Sequence, residues 1–249
     1  MSGMWFDDLT IPQGRLVRRV IGTVALLIIA LALLLVPAAT PATASERPSA
    51  TDAPTATAST ARPTLRPGAR GAHVVALQQR LAALRYDVGS VDGIFGDSTL
   101  HGVIAFQKVQ RIGIDGIVGP LTWSRLARPV VPRPRYTGSA AAIEVNLTLR
   151  VVLVTKAGAV TRILDASPGK PSTPTVTGRF SIIRRVDGWH RSPLGMLWRP
   201  AYFHRGYALH GYTSVPSYAA SHGCVRVTIP AMNRLWSQVV LGERLDVYR

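Results

Sequence analysis

The sequence predicts a multidomain protein: an N-terminal transmembrane or signal helix, a small three-helix domain, and a mainly β domain that carries one short helix. Three observations predict this organisation. They are an uncharged apolar run at residues 20–36, a near-repeat of Asp-Gly turns between residues 91 and 126, and alternation of apolar and polar residues after Ala140. About 185 residues follow the N-terminal segments, which is enough for two small domains with separate cores.

The N-terminal segment has the pattern of a membrane-targeting sequence. The run VIGTVALLIIALALLLV at residues 20–36 is about long enough to cross a bilayer core of roughly 30 Å. Arginines precede the run and no basic residue follows until Arg47, so the positive-inside bias predicts a cytoplasmic tail at residues 1–19. The rest of the chain is then outside the membrane. We favour a retained single-pass anchor, although small residues also permit cleavage near Ala44 and secretion.

Residues 37–63 are predicted to be a disordered linker. They consist mostly of Pro, Ala, Thr and Ser and have few large apolar side chains to bury. The chain as a whole carries a formal charge of +16 at pH 7. Outside the membrane, this charge favours anionic envelope polymers or lipid headgroups as partners over nucleic acid. Solvated arginine faces account for the charge equally well, so charge alone identifies no ligand.

Residues 64–128 are predicted to form three short helices around one core. The segment GAHVVALQQRLAALRYDVG places four apolar residues on one helical face: Val74, Leu77, Leu81 and Leu84. The near-repeat VDGIFG and IDGIVG supplies two tight turns, and each turn precedes a helix. Asp97 or Ser98 can cap the second helix, and Pro120 suits the first turn of the third.

Residues 65–126 resemble the peptidoglycan-binding domain family of three-helix modules. The resemblance covers both Asp-Gly turns, Phe106-Gln107 and Thr122-Trp123. It implies the fold and, less specifically, wall binding, and it makes the domain an independent module whose removal should spare cleavage of a small peptide. At His101-Gly102 the family has small helix formers instead. We expect Gly102 to loosen the second helix, since a mid-helix glycine costs roughly 1 kcal/mol relative to alanine.

After a linker at residues 129–139, a mainly β domain is predicted for residues 140–249. Three residues alternate on one side of its first strand, which continues into a hairpin turning near residues 156–158: Ile143, Val145 and Leu147. The segments TGRFSIIRRV and ERLDVY are further strands. One helix follows a Thr228 cap and has apolar residues at helical spacing, namely Ile229, Met232, Leu235, Trp236 and Val239.

Cys224 is the only cysteine of the chain, in the segment SHGCVR. A lone cysteine in an exported protein is a buried structural thiol, an intermolecular bridge or a reactive nucleophile. His222 and Arg226 flank it, and such groups stabilise a thiolate and lower the thiol pKa. A second histidine, His210, lies at a predicted strand end. We therefore predict a nucleophile with a lowered pKa, and Gly223 leaves room for a substrate oxyanion near backbone N–H groups.

Two other classes of peptidase are disfavoured. In papain-like enzymes the catalytic histidine follows the cysteine, whereas all six histidines here precede Cys224. A zinc site is poorly supported, because Asp187 is the only carboxylate near the later histidines and no tight ligand spacing occurs. His190 and His204 are interpreted as loop or surface residues.

Residues 141–248 resemble the L,D-transpeptidase catalytic domain family. The motifs that carry the resemblance are TPTVTGRF, LHG and SHGCVRV, starting at residues 173, 209 and 221. The resemblance implies acyl transfer between peptidoglycan stems without a metal or nucleotide cofactor. The cysteine attacks a donor tetrapeptide to give a thioester, and the amine of an acceptor stem then forms a 3→3 cross-link. Residues 187–206 follow the family pattern less closely. The resemblance therefore does not define the lid over the cleft or the substrate specificity.

The resemblance also implies roles for individual residues. Cys224 corresponds to the nucleophile and His210 to the base, which the carbonyl of Gly211 holds in place. His222 tunes or orients the thiol, and the backbone N–H groups of Gly223 and Cys224 are the oxyanion donors. Two further residues contact substrate or fix the loop by hydrogen bonds, with neither alternative preferred: Ser221 and Arg226.

The resemblance also implies that carbapenems acylate the cysteine, as they do in members of that family. Two alternatives to transpeptidation stay open at this point. One is an L,D-carboxypeptidase that trims tetrapeptide stems with water as the acceptor. The other is a non-catalytic peptidoglycan-binding envelope protein, in which the cysteine is inert.

Overall fold

A computed structural model describes residues 62–138 and 141–249. The predicted cytoplasmic tail, the membrane helix and nearly all of the linker that follows lie outside these residues. Within the two described ranges, none of the helices combines the length and apolar character that a bilayer span requires.

Three helices form the first domain, as predicted. Their bounds are α1 Ala72–Ala83, α2 Asp97–Gln110 and α3 Pro120–Ala127. The predicted apolar face of α1 is buried at Val74, Leu77 and Leu81. Neither Asp97 nor Ser98 caps α2, because Gly96 holds the cap position and α2 already begins at Asp97. Pro120 opens α3, where its missing N–H costs no helical hydrogen bond.

Two buried glutamines explain the near-repeat of Asp-Gly turns. In the first turn, the Gln78 amide donates to Asp92 at 2.9 Å, and its oxygen accepts the Gly93 N–H at 2.9 Å. In the second, the Gln107 amide donates to Asp115 at 2.7 Å and its oxygen accepts the N–H of the following glycine. Each Asp-Gly turn is therefore satisfied by a buried glutamine from the helix before it.

The second domain consists of two five-stranded sheets and one helix within residues 141–249. The first sheet has the order β3-β2-β1-β10-β4, and the second has the order β5-β7-β8-β9 with β6 paired to β7. The elements are β1 Ala141–Asn146, β2 Val151–Lys156, β3 Ala159–Asp165, β4 Gly178–Ser181, β5 Arg184–Arg185, β6 Trp189–Ser192, β7 Gly195–His204, β8 Tyr207–Tyr212, β9 Val225–Thr228, α4 Ile229–Leu235 and β10 Arg244–Tyr248.

The core of the β domain lies between the two sheets and α4. It contains apolar residues from both sheets and from the helix, among them Ile143, Val145, Leu209, Val225, Val227, Met232 and Leu235. Thr228 caps α4 as predicted, since its hydroxyl accepts the Ala231 N–H at 3.2 Å. The helix is shorter than predicted and ends at Leu235, but Trp236 and Val239 still pack into the same core.

The two domains share a hydrophobic core, which the sequence did not predict. Val151, Leu153 and Ile163 of the β domain pack in one cluster with the residues of the helical core. Main-chain hydrogen bonds join the domains at the same place. Ile163 donates its N–H to the Arg85 carbonyl at 2.7 Å, and its own carbonyl accepts the Asp87 N–H at 2.9 Å. The helical domain is therefore continuous in packing with β2 and β3.

Gly102 is required by the close approach of the segment after α1. A Cβ at this position would meet Cγ1 of the buried Val88 at 2.5 Å. We expect Gly102→Ala to lower the free energy of unfolding by about 1–3 kcal/mol, because this overlap outweighs the gain in helix propensity.

Urea denaturation of the variant and the wild type measures this change. Gly113→Ala is the matched control, because no atom lies within 4 Å of a Cβ at that position. A Gly102→Ala protein that is as stable as wild type, or more stable, would contradict the proposed overlap.

Candidate active site

Parallel pairing of β8 with β9 brings the two histidine motifs together. The register places Leu209 opposite Val225 and His210 opposite Arg226, and Cys224 directly precedes β9. On the other side of β9, Ser167 and Arg226 exchange both main-chain hydrogen bonds at 2.9 and 3.0 Å. The chain next to the cysteine is therefore fixed by β8 on one side and by an isolated bridge to Ser167 on the other.

One cleft of about 320 Å³ contains most of the predicted site residues. Cys224, His210, His222, Ser221 and Arg226 all line it. The structure thus brings together side chains from β8, from the start of β9 and from the loop between these strands.

His210 is held in one orientation and is 1% exposed. Its Nδ1–H donates to the carbonyl of Gly211 at 2.9 Å, the contact that the family resemblance implies. A neutral imidazole with its proton on Nδ1 has Nε2 free to accept a proton. Burial lowers the pKa of His210 to about 4; the Gly211 carbonyl opposes this shift and the charge of Arg226 adds to it. His210 is therefore neutral at pH 7.

The pKa of the Cys224 thiol is raised, whereas the sequence analysis predicted that it is lowered. Burial raises its pKa, and this effect outweighs the lowering by a hydrogen bond with the Ala208 backbone and by the charge of Arg226. The thiol donates a long hydrogen bond to the carbonyl of Gly206, at 3.7 Å. The prediction of a lowered pKa relied on the neighbouring imidazoles and Arg226, whereas burial has the larger effect on the thiol and His210 is itself buried and neutral. The resting site therefore holds a neutral thiol and a neutral imidazole.

Ser221 fixes the loop that carries the cysteine. Its side chain is 1% exposed, and its hydroxyl donates to the carbonyl of Cys224 and accepts the Gly223 N–H at 3.1 Å. These contacts favour the loop-fixing alternative over a substrate contact. Gly223 has a φ of +119°, and a Cβ there would meet the Tyr207 ring at 2.7 Å. Glycine is therefore the residue that fits this position.

His222 and Arg226 have neighbours that the sequence did not indicate. His222 is exposed, and its Nε2 lies 3.5 Å from Nζ of Lys170. The guanidinium of Arg226 lies 4.3 Å from the ring centre of Tyr212. Lys170 was missed because it is 52 residues away in sequence and reaches the loop through the segment that follows β3.

Comparison with known proteins agrees with this geometry. The L,D-transpeptidase catalytic domain family model matches residues 140–247, and the peptidoglycan binding domain model matches residues 70–126. The crystal structure of an L,D-transpeptidase from Xylanimonas cellulosilytica is 40% identical with a TM-score of 0.71, and the match covers 74% of this chain and 97% of that one. The chain belongs to the L,D-transpeptidase family.

Curated relatives match a smaller part of the chain. An uncharacterized protein of Kitasatospora aureofaciens is 46% identical over 69 residues, which cover 27% of this chain and 58% of the relative. An N-acetylmuramoyl-L-alanine amidase of Bacillus licheniformis is 42% identical over 65 residues, which cover 25% of this chain and 18% of the amidase. The chain therefore spans less than two thirds of the length of each of these relatives.

In this L,D-transpeptidase family member, the hairpin of β6 and β7 forms one wall of the cleft. His190 is half-exposed in β6 and lines the cleft, so it is a strand residue at the surface and not a loop residue. The His190 ring packs edge-on against the ring of Tyr202, with the two ring centres 6.1 Å apart. Arg184 and Arg191 also line the cleft, and with Arg226 they give it three guanidinium groups. Antiparallel pairing brings these residues to the site, and no motif in the sequence marks them.

The raised pKa of Cys224 has a measurable consequence. A raised pKa leaves less thiolate at any given pH, so we expect iodoacetamide to alkylate the folded protein with a pH midpoint above that of the urea-denatured chain. Mass spectrometry reports this reaction for one site, because the chain has one cysteine. A folded-state midpoint below the denatured value would instead support the original prediction of an activated thiolate.

Proposed function

We propose that the protein is a cell-wall L,D-transpeptidase that forms 3→3 cross-links through a thioester on Cys224. The observation that carries the proposal is the pairing of β8 with β9, which brings a buried neutral imidazole and the only thiol of the chain to one cleft. The family membership supports the reaction class. The substrates are peptidoglycan stem peptides, one tetrapeptide donor and one acceptor stem.

The first half-reaction transfers the acyl group to the enzyme. Sγ of Cys224 attacks the carbonyl carbon of the third stem residue while Nε2 of His210 accepts the thiol proton. The tetrahedral intermediate then expels the amine of the terminal D-Ala, which takes that proton from His210. The products are a thioester and free D-Ala. Because both groups start neutral, this proton transfer accompanies the attack and no resting ion pair is needed.

The second half-reaction regenerates the enzyme. The side-chain amine of the acceptor stem attacks the thioester carbonyl, His210 takes a proton from that amine, and the thiolate leaves and is reprotonated. One peptide bond is broken and one is formed, so the overall reaction requires no nucleotide or metal cofactor.

The N–H groups of Gly223 and Cys224 are the proposed oxyanion donors. In this structure Gly223 donates its N–H to the hydroxyl oxygen of Ser221. Use of this N–H in catalysis therefore requires that the substrate oxygen replace the hydroxyl as acceptor. An interaction gained only as negative charge develops would favour the transition state over the ground state.

The cleft and the rest of the chain suit an anionic wall polymer. Arg184, Arg191 and Arg226 line the cleft, and the guanidinium group is well matched to the carboxylates of stem peptides. The helical domain is proposed to locate the enzyme on peptidoglycan. The site of action is the cell envelope outside the cytoplasmic membrane, with residues 20–36 as the predicted anchor.

Substitution of the two central residues tests the mechanism. We expect Cys224→Ala to abolish turnover of a disaccharide tetrapeptide, and His210→Ala to lower it by roughly a hundred- to ten-thousand-fold, because the general base is lost. His222→Ala should keep partial activity, since His222 is exposed and lies beside Lys170.

Mass spectrometry of the products separates the possible functions. Cross-linked dimer supports transpeptidation, tripeptide indicates a carboxypeptidase, and unchanged substrate indicates a non-catalytic protein. His73→Ala is the control, because His73 is exposed on the helical domain. A His210→Ala enzyme with a near wild-type rate would exclude His210 as the base.

The pH dependence of acylation tests the protonation state of His210. Only neutral His210 can accept a proton, and its pKa is about 4. We therefore expect His210 to remain a functional base in carbapenem acylation as the pH falls from about 7 to 5. The acylation rate should lose this contribution as the pH falls through about 4, where His210 becomes protonated. Circular dichroism at each pH controls for unfolding. An acidic limb centred near the ordinary histidine value of about 6.5 would contradict the assignment.

A further inference from the structure

A buried lysine of the helical domain reaches into the β domain. The side chain of Lys108 in α2 is 0% exposed, and its ammonium group lies 2.5 Å from Oδ1 of Asp165. It also donates to the carbonyls of Ala166 at 2.9 Å and Arg150 at 3.2 Å. These three acceptors match the three protons of an ammonium group. Desolvation lowers the pKa of Lys108, and the carboxylate of Asp165 opposes this shift.

His101 completes the contact from the same helix. Its Nδ1 lies 2.7 Å from the second oxygen of Asp165. Of the two positions that depart from the usual module, His101 thus serves the contact between the domains, whereas Gly102 leaves room for Val88 of its own domain. The expectation that Gly102 merely loosens the helix is replaced by this packing role.

The segment held by Lys108 continues into the support of the nucleophile loop. Ser167 pairs with Arg226 through the main chain, and its hydroxyl donates to the carbonyl of Tyr218 at 2.6 Å. The carbonyl of Pro168 accepts the N–H groups of Ala220 and Ser221, each at 3.0 Å.

Two further hydrogen bonds join the same regions. Lys170 donates its N–H to the carbonyl of Ser221 at 3.0 Å. On the other side of the ammonium group, the side chain of Arg150 donates to the carbonyl of Ser217 at 3.1 Å. Both backbone segments that Lys108 contacts therefore hold the loop that ends at Cys224.

We propose that Lys108 is a positioning residue for the nucleophile loop, so that the helical domain is a structural part of the active site. The proposal rests on the proposed acyl-transfer function of Cys224. It assigns Lys108 no contact with substrate. The ammonium group fixes the chain at residues 165–166, and the residues that follow β3 fix the loop at residues 217–226.

Two kinetic readouts test this proposal on the full chain. Lys108→Met keeps the aliphatic length and removes the charge. If the loop relaxes, the thiol becomes less buried, so we expect the pH midpoint of iodoacetamide alkylation to fall towards the ordinary range. Acylation of Cys224 by a carbapenem should slow by roughly 10- to 100-fold, because a small misplacement of a reacting group is costly. A purely structural role would leave both readouts unchanged in the folded protein.

Arg234→Met is the matched control for loss of an ion pair between the domains. Arg234 in α4 binds Asp87 of the helical domain at 2.8 Å but contacts neither the 165–170 segment nor the nucleophile loop. The Arg234→Met variant should change the melting temperature of the protein. It should leave the pH midpoint of alkylation and the acylation rate at wild-type values. All rates are measured well below the melting temperature of each variant.

The outcomes distinguish this proposal from the proposed function. A wild-type protein that no carbapenem acylates and that leaves tetrapeptide unchanged argues against the function, while the alkylation midpoint of Lys108→Met still tests the positioning. Wild-type values for both readouts in Lys108→Met overturn the positioning role. If Lys108→Met does not fold, Lys108→Met/Asp165→Asn removes the unpaired buried charge and is judged by the same two readouts.

Discussion

The site depends on a single constraint, the pairing of Arg226 through its main chain on both sides. β8 holds one edge of β9 and Ser167 holds the other, so the residue two positions after the nucleophile cannot shift without breaking two ladders. The parallel register then sets His210 beside this point, and the Gly211 carbonyl sets the proton on Nδ1. Backbone hydrogen bonds thus determine which nitrogen of the base is available, before any substrate enters.

Burial shifts the pKa values of the two reacting groups in opposite directions, and both shifts favour the neutral form of the group. It raises the pKa of the thiol and lowers that of the imidazole, because in both cases the charged form loses hydration. The neutral pair is thereby favoured over the thiolate-imidazolium pair. A site of this kind gains its catalytic advantage when charge develops on the substrate, which is the step that the proposed oxyanion donors would stabilise. The exposed His222 and its neighbour Lys170 lie at the edge, where solvent moderates their influence.

Local patterns in the sequence were sufficient for most elements of the fold. Helical periodicity predicted α1, the repeated Asp-Gly turns predicted α2 and α3, and alternation predicted the hairpin of β2 and β3. The motifs around His210 and Cys224 indicated the site through their resemblance to the L,D-transpeptidase catalytic domain family. Contacts between distant segments were not predictable in this way. Nothing local in SPGK indicates that its backbone supports the nucleophile loop, and a buried lysine in α2 resembles any helix lysine until its partner is known.

The contact between the domains illustrates why such long-range features matter. The apolar cluster around Val151, Leu153 and Ile163 favours association but tolerates small shifts, because hydrophobic burial is not directional. The main-chain bonds of Ile163 and the three acceptors of Lys108 are directional and admit one register. A buried ion pair contributes little net stability, since desolvation offsets most of the attraction, and its best attested role is specificity of arrangement. In the arrangement that we propose it specifies, the segment after β3 supports the nucleophile loop. Removal of the helical domain would expose the apolar faces of β2 and β3 and leave Asp165 without its buried cation. We therefore expect deletion of the helical domain to impair small-peptide cleavage, in contrast to the prediction made from the sequence.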